Sequence, residues 1–517
     1  MRILPERDRE NKGAESQDQV DHLEEGLRLR CLELDHYVRG AARGGIAVHE
    51  VERGIWERIL VLGRESLKLF FQAVGNGDLG EKIEMPGGRQ VRRLRSLHSR
   101  SYQSIFGSFD LDRVVYGTRE GQKIELVPLD QRLELPEGKF SYLLQDWDQS
   151  FAVEKPYAQV SATLEKMLGF SQSVDTLERM NRKMAESVVD YWNTLEPPQA
   201  SEEGELVVAS ADGKGVVMRR PAKVLPIEGH QESSGPKPGS KKIALVGATY
   251  TVDRYERTPE QVVESLFRKP CAKDDRSHDR PRPQHKRVRA SLERCEKDTM
   301  EPALDEIFGS MALEIEQRND LGEKPVLILM DGEKSLWCAA KSHLPDKATE
   351  ILDLLHVTPR LWKAAYLFHP KGSADATRFV RERALRILHG EVISVVRGLR
   401  RMATLSGLSG RKRKQLERIC GYFEANCKRM QYDKYLAAGY PIATGVIEGA
   451  CRHLVKDRLE RTGMSWVPAG AQAMLDLRSI HLSDQWDEFT AFRIRKDSER
   501  LYPITLNADG PKWRIAA

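Results

Sequence analysis

KPVLILMDGEKSLW, residues 324–337, is the stretch on which the fold turns. Val326 to Met330 form an uninterrupted apolar run of strand length, and the run ends on Asp331, with Gly332 next. The reading is a buried strand that delivers a carboxylate to its own tip. Such a group must be hydrated, hydrogen-bonded or given a cation, because burying it unpaired is costly. The plainer alternative is an Asp-Gly turn or helix cap, which this dipeptide commonly makes.

Working outward, ELVVASADGKGVVMRR (205–220) reads as two strands hinged near Gly213–Gly215, and KKIALVGATYTVDRY (241–255) reads as a third. Residues 286–318 read as one long helix, followed by the strand at 325–331, a short helix, and ATEILDLLHV as a further strand. Three adjacent strands, then helix, strand, helix, strand, predict an α/β domain with a mixed sheet, antiparallel first and parallel after the crossover. From 373 to 436 the pattern is helical throughout. In residues 440–466 the segment after Pro441 reads as one helix stopped at Gly463.

Upstream, residues 17–77 carry two amphipathic helical stretches around GGIAVH, and residues 102–133 read as short strands. Residues 140–195 return to helix. A break at Gly169, with Ser173 as an N-cap, suits either a helix-turn-helix whose second helix presents Arg179, Arg182 and Lys183, or simply two packed helices. TLEPPQASEEGE (194–205) is linker chemistry, and the segment beyond 485 has no assignable pattern.

The 517 residues suffice for several domains, and 40% hydrophobic with 31% charged residues is an ordinary globular composition. A net charge of +5 is too small to name a partner, so the local clusters matter more. The charged start lacks a signal-peptide core, and no apolar stretch approaches the ~20 residues that cross a bilayer. A cytoplasmic, nucleoid-associated location without membrane contact is expected. Seven scattered cysteines with no C-x-x-C pair support neither a disulfide framework nor a cysteine zinc site.

Two further acids stand out by context. Asp212 precedes Gly213 near the end of LVVASAD, and Glu448 lies in GVIEGACRHLVKDRLERTGMSW. Two strand-end aspartates on one sheet edge would repel each other unless a cation neutralised them, and oxygen donors suit Mg²⁺ or Mn²⁺. Glu448, Arg452 and Lys456 are spaced i, i+4, i+8, which makes either a surface row of ion pairs or a metal ligand beside phosphate contacts.

The motifs ASADGKGVVMRR, ILMDGEKSLW and GVIEGACRHLVKDRLERTGMSW together resemble those of the ISKra-type insertion-sequence transposases, DDE enzymes related to the Mutator-like group. The resemblance covers 205–480 well and the N-terminal part more loosely. It implies an α/β fold with a ribonuclease-H-like core, a mixed sheet with flanking helices interrupted by an all-α insertion. On it the chain divides into a helical N-terminal region (1–100), a small β-rich element (101–138) and a helix-turn-helix-like DNA-binding region (139–200). The core follows in two parts, 205–370 and 440–485, around the insertion at 371–439, with a tail at 486–517. The resemblance also implies Asp212, Asp331 and Glu448 as catalytic residues and metal ligands. DLLH, Asp353 to His356, is similar to the C/D-x-x-H motif of the wider group. In a continuing strand these two residues would face opposite sides, so they converge only if a turn or helix has begun. YGTREGQKIELVPLD lacks the cysteine pairs of relatives, which counts against a metal-stabilised N-terminal module there but not against the core.

The implied chemistry is cleavage at element ends and transfer of 3′-OH ends to target DNA, with two Mg²⁺ or Mn²⁺ ions per site ~3.5–4 Å apart. DNA is the expected partner, both terminal inverted repeats and target, and a homodimer or higher assembly is expected by analogy. Arg411, Lys412, Arg413 and Lys414, near Arg397, Arg400 and Arg401, are candidate phosphate contacts with Arg452 and Lys456, as is the basic stretch 268–290. Trp337, Trp362 and Trp466 suit core packing better than base stacking. The alternatives are a ribonuclease-H-like nuclease that joins no strands, and a domesticated DNA-binding protein without catalysis.

Overall fold

The computed structural model describes residues 7–503 apart from 86–88, 120, 122, 220–240, 268–279, 293, 297–298 and 444. The chain forms two compact units, one from 1–180 with 487–517 and one from 181–486. Among the described residues no helix is long and apolar enough to cross a membrane.

The first unit begins with two long helices, α1 (Arg7–Gly44) and α2 (Val48–Val74). Short strands follow: β1 (Lys82–Glu84), β2 (Gln90–Arg93), the hairpin β3 (His98–Ser104) and β4 (Gly107–Arg113), and β5 (Tyr116–Gly117). The strand expected across 123–133 is absent beyond one bridge between Tyr116 and Leu126. Pro128 starts the helix α3 (Pro128–Arg132) instead, its fixed φ and missing N–H being suited to a first helical turn. Next come α4 (Tyr142–Ala152), α5 (Tyr157–Leu168) and α6 (Val174–Ala185), within which the division between units falls. Gly169 closes α5 in the left-handed region at φ 76°, and the Ser173 hydroxyl accepts from the Thr176 N–H at 3.1 Å.

The second unit opens with the end of α6, continues with α7 (Val188–Trp192) and is built on a five-stranded sheet. In chain order its elements are β6 (Leu206–Val217), β7 (Lys241–Val252), α8 (Pro259–Phe267) and β8 (Gln284–Ser291). A small hairpin, β9 (Arg294–Glu296) and β10 (Thr299–Glu301), leads to α9 (Ala303–Arg318). Then come β11 (Val326–Met330), α10 (Lys334–His343) and β12 (Thr349–Leu352). The spatial order is β12-β11-β6-β7-β8. β6, β7 and β8 pair antiparallel, whereas β11 runs parallel to both β6 and β12, as expected of a mixed α/β sheet.

Three expectations for this region are corrected. Residues 205–220 do not hinge, because β6 is one strand paired with β7 from Leu206 to Val217. A Cβ at Gly213 would press on Ile243 across the ladder, so the glycine relieves crowding rather than making a turn. Residues 286–318 begin as strand: β8 runs on to Ser291 with Val288, Ala290 and Ser291 buried, and the helix starts only after Pro302. The strand expected through DLLHV stops at Leu352, where Asp353 caps α11 (Leu354–Phe368).

Period-2 alternation splits the core. Val207, Ala209, Ala211, Ile328 and Met330 pack on one face against Ile307, Phe308 and Met311 of α9 and Leu336 of α10. Leu206, Val208, Leu327 and Leu329 face the other side, against α11 and an all-helical block. The block comprises α12 (Ala374–Leu388), α13 (Val392–Leu405), α14 (Gly410–Ala425) and α15 (Tyr432–Ala437). The last motif is not one regular helix. It runs as α16 (Gly445–Ala450), a π-helical turn over Cys451–Lys456, and α17 (Asp457–Leu459), and Gly463 follows at φ 81°. α18 (Pro468–Leu482) completes the unit, and α19 (Trp486–Leu501) returns to the first one, giving a helix where no pattern was legible.

Candidate active site

The parallel ladder sets the site. Ile328 pairs with Ala209, so three residues further along each strand come Asp331 and Asp212. Three steps reverse the face in both strands alike, which puts the two aspartates on the side of Leu206 and Leu327, facing the helical block. The Ser210 hydroxyl donates to the Leu329 carbonyl at 2.5 Å, tying the strands together just before the acids.

Asp331 is held from both ends. Its Oδ1 accepts the Glu333 N–H at 2.8 Å, and its carbonyl accepts the Trp337 indole N–H at 2.6 Å. The turn expected of Asp-Gly is therefore present, yet Oδ2 stays free of it and faces His356 Nδ1 at 4.0 Å. Asp212 Oδ1 accepts the Gly213 N–H at 2.8 Å, and the Cys451 thiol donates to Oδ2 at 3.6 Å. Burial raises the Asp212 pKa and the nearby Asp331 charge adds to the rise, opposed by the Gly213 N–H, by His356 and by Cys451. Burial beside Asp212 also raises the Cys451 thiol, keeping it a neutral donor.

Asp353 and His356 have different duties. Asp353 is buried as the N-cap of α11 and accepts the Leu355 N–H at 2.8 Å. Because helix begins there, His356 in the first turn comes round to Asp331. Glu448 is exposed in the first turn of α16, and its charge reaches Cys451. Among the described residues no three His, Cys, Asp or Glu side chains gather closely enough to hold a metal ion. Asp212 and Asp331 are the residues that would hold Mg²⁺ here, since Mg²⁺ is usually bound through one or two carboxylates. This donor set fits a hard divalent cation, and the acidic repulsion felt by Asp212 is what such a cation would relieve.

The cations fall into two groups. Arg411, Lys412 and Lys414 are exposed in the first turn of α14, where the helix dipole disfavours positive charge, while Arg413 pairs with Glu417 at 3.2 Å. Arg452 and Lys456 are exposed, with Arg452 3.7 Å from Asp457, and the π turn breaks the regular i, i+4, i+8 row that a uniform helix would give. Three basic candidates are structural instead. Arg400 pairs with Glu417 and Glu424, holding α13 to α14. Arg287 and Arg289 of β8 pair with Glu314 at 2.8 and 3.5 Å. Residues 268–279 of the basic stretch lie outside the described residues. Trp337 and Trp466 are buried and Trp362 packs on the core, as expected.

Residues missed in the sequence also converge here. Lys214 lies two residues along β6 from Asp212, on the same face, and its charge reaches Cys451. Cys451 is three residues from Glu448, so both were signalled by proximity to acids already noted. Tyr422, on α14, packs its ring against Gly332, where any Cβ would collide with it. No local pattern connects those two residues.

No protein-family model matches this chain, and no curated protein matches it. Among solved structures, the chain is similar to the Drosophila P element transposase strand transfer complex at 12% identity and a TM-score of 0.23, over 70% of this chain and 82% of that one. A score that low is a loose correspondence, and the functional reading rests on the residues of the site.

Proposed function

We propose that the chain is a DNA transposase of the DDE kind, encoded by a bacterial insertion sequence, with the five-stranded sheet and its flanking helices as a ribonuclease-H-like core. The observation that carries this reading is the approach of Asp212, in β6, and Asp331, at the end of the parallel neighbour β11, close enough that the charge of one raises the pKa of the other. Support comes also from the helical block between Asp331 and Glu448, and from the strand order with β6 at the centre.

In this reading Asp212 and Asp331 hold the divalent cations, Mg²⁺ or Mn²⁺, and Glu448 completes the set when DNA enters. Two such ions would activate an oxygen nucleophile and stabilise the leaving 3′-oxygen. Water attacks first and frees a 3′-OH at the element end; that 3′-OH then attacks target DNA. His356 stands beside Asp331, its Nδ1 4.0 Å from Oδ2. The exposed cations of α14, with Arg452 and Lys456, meet DNA phosphates, so binding weakens steeply with salt. Two element ends must be brought together, which calls for at least two copies of the chain.

The test is joining of a labelled DNA end, taken from the gene's own flanks, to a plasmid in Mg²⁺. Joined product is expected. Cleavage without joining would make the protein a nuclease, and DNA binding with neither reaction would make it a non-catalytic binder.

A further inference from the structure

α11 carries more toward the site than His356. One turn further on, at i+4 and so on the same helix face, stands Arg360. Its guanidinium lies 3.5 Å from the centre of the Tyr422 ring, and Nη1 donates to the His356 carbonyl at 2.5 Å. The Tyr422 ring in turn packs on the backbone of Gly332, the residue after Asp331. Gly332, the tyrosine ring and the guanidinium thus stack next to the aspartate. Among the described residues Arg360 has no carboxylate at ion-pair distance, unlike Arg400, Arg413 and Arg429 of the neighbouring helices and turn. It is a half-buried cation fixed by an aromatic face and a carbonyl, with N–H donors left over.

We propose that Arg360 binds a phosphate of the DNA strand lying in this site, and that Tyr422 positions it. This rests on the reading of the site as one that acts on DNA. A planar guanidinium can take a phosphate through two parallel N–H donors, and stacking on Tyr422 fixes its orientation beforehand. Gly332 is then part of the arrangement, since only a residue without Cβ lets the ring lie close to the strand end.

The test is binding of a fluorescein-labelled DNA duplex by the full chain across a salt series, with Ca²⁺ present. Arg360→Gln is expected to weaken binding about tenfold and to reduce the slope of log K against log salt by about 0.9, the signature of one lost phosphate contact. Arg360→Lys keeps the slope and loses part of the affinity. Tyr422→Phe keeps the ring and behaves as the parent, whereas Tyr422→Ala moves toward Arg360→Gln. A purely structural arginine would leave the slope unchanged, and an unchanged slope in a folded Arg360→Gln protein overturns the proposal. So does loss of the slope in Arg360→Lys, which still carries the charge. A parent protein that joins no strands, while these binding results hold, defeats the transposase reading and leaves the phosphate contact standing.

Discussion

Asp212 lies in β6 three residues beyond Ala209, and Asp331 follows the end of β11 three residues beyond Ile328, the strand partner of Ala209. The pair stores unfavourable energy. Burial and the Asp331 charge both raise the Asp212 pKa, so the folded state holds its proton more tightly than the unfolded chain. A raised acid contributes stability below its ordinary value of 3.8 and loses it as pH climbs through the folded value. Asp212→Asn should therefore raise the thermal midpoint at neutral pH, and the gain should vanish below the ordinary Asp value. Thermal melts of both proteins across pH check this.

A second carboxylate is placed at greater cost. Asp148 in α4 is fully buried, neither oxygen has a hydrogen-bond partner among the described residues, and burial pushes its pKa up to about 8. The stability of the first unit should fall between the ordinary Asp range and about pH 8, at up to about 1.4 kcal/mol per pH unit. Asp148→Asn should flatten that dependence, as read by urea denaturation at several pH values.

Gly332→Ala should destabilise the second unit by about 1–3 kcal/mol, because the added methyl must displace the Tyr422 ring, which has Arg360 against it. Adding Tyr422→Ala should recover part of that loss. A double-mutant cycle by chemical denaturation gives the coupling, and strict additivity would contradict the stack.

Arg318 is fully buried between Glu314 at 3.1 Å and Glu203 at 3.6 Å, and also donates to the His285 carbonyl at 2.8 Å. It ties α9 to β8 and to the segment leading into β6. Arg318→Met should cost about 1–3 kcal/mol, because the His285 carbonyl loses its buried donor while Glu314 keeps Arg287 and Arg289 and Glu203 keeps Lys324. Equilibrium unfolding measures it.

What the sequence could reveal was local. The run Val326–Met330 between a proline and Asp331-Gly332 admits little besides a buried strand, and β7 and the helical block were equally plain. β8 was hidden because Arg287 and Arg289 interrupt Val288 and Ala290, and their charges make sense only once Glu314 of α9 lies across from them. The glycines of β6 read as a hinge because the neighbours that crowd them, Ile243 at Gly213 and Lys241 at Gly215, belong to another strand. The π turn at 451–456 escaped notice since Cys451 and Leu454 fit an ordinary helix equally well. Asp212 and Asp331 were legible as acids at strand ends; their shared register was not, because pairing is a property of the sheet. Tyr422 and Arg360 reach the site only through the packing of α14 and α11.

In the proposed reading Asp212 and Asp331 together form one cation site. Titration of Mn²⁺ into the full chain, followed by the electron paramagnetic resonance signal of the free ion, tests it most directly. The parent protein should bind the ion, and Asp212→Asn and Asp331→Asn should each weaken binding by at least about tenfold while remaining folded. Equal binding by the parent and both variants would mean that the two aspartates hold no cation.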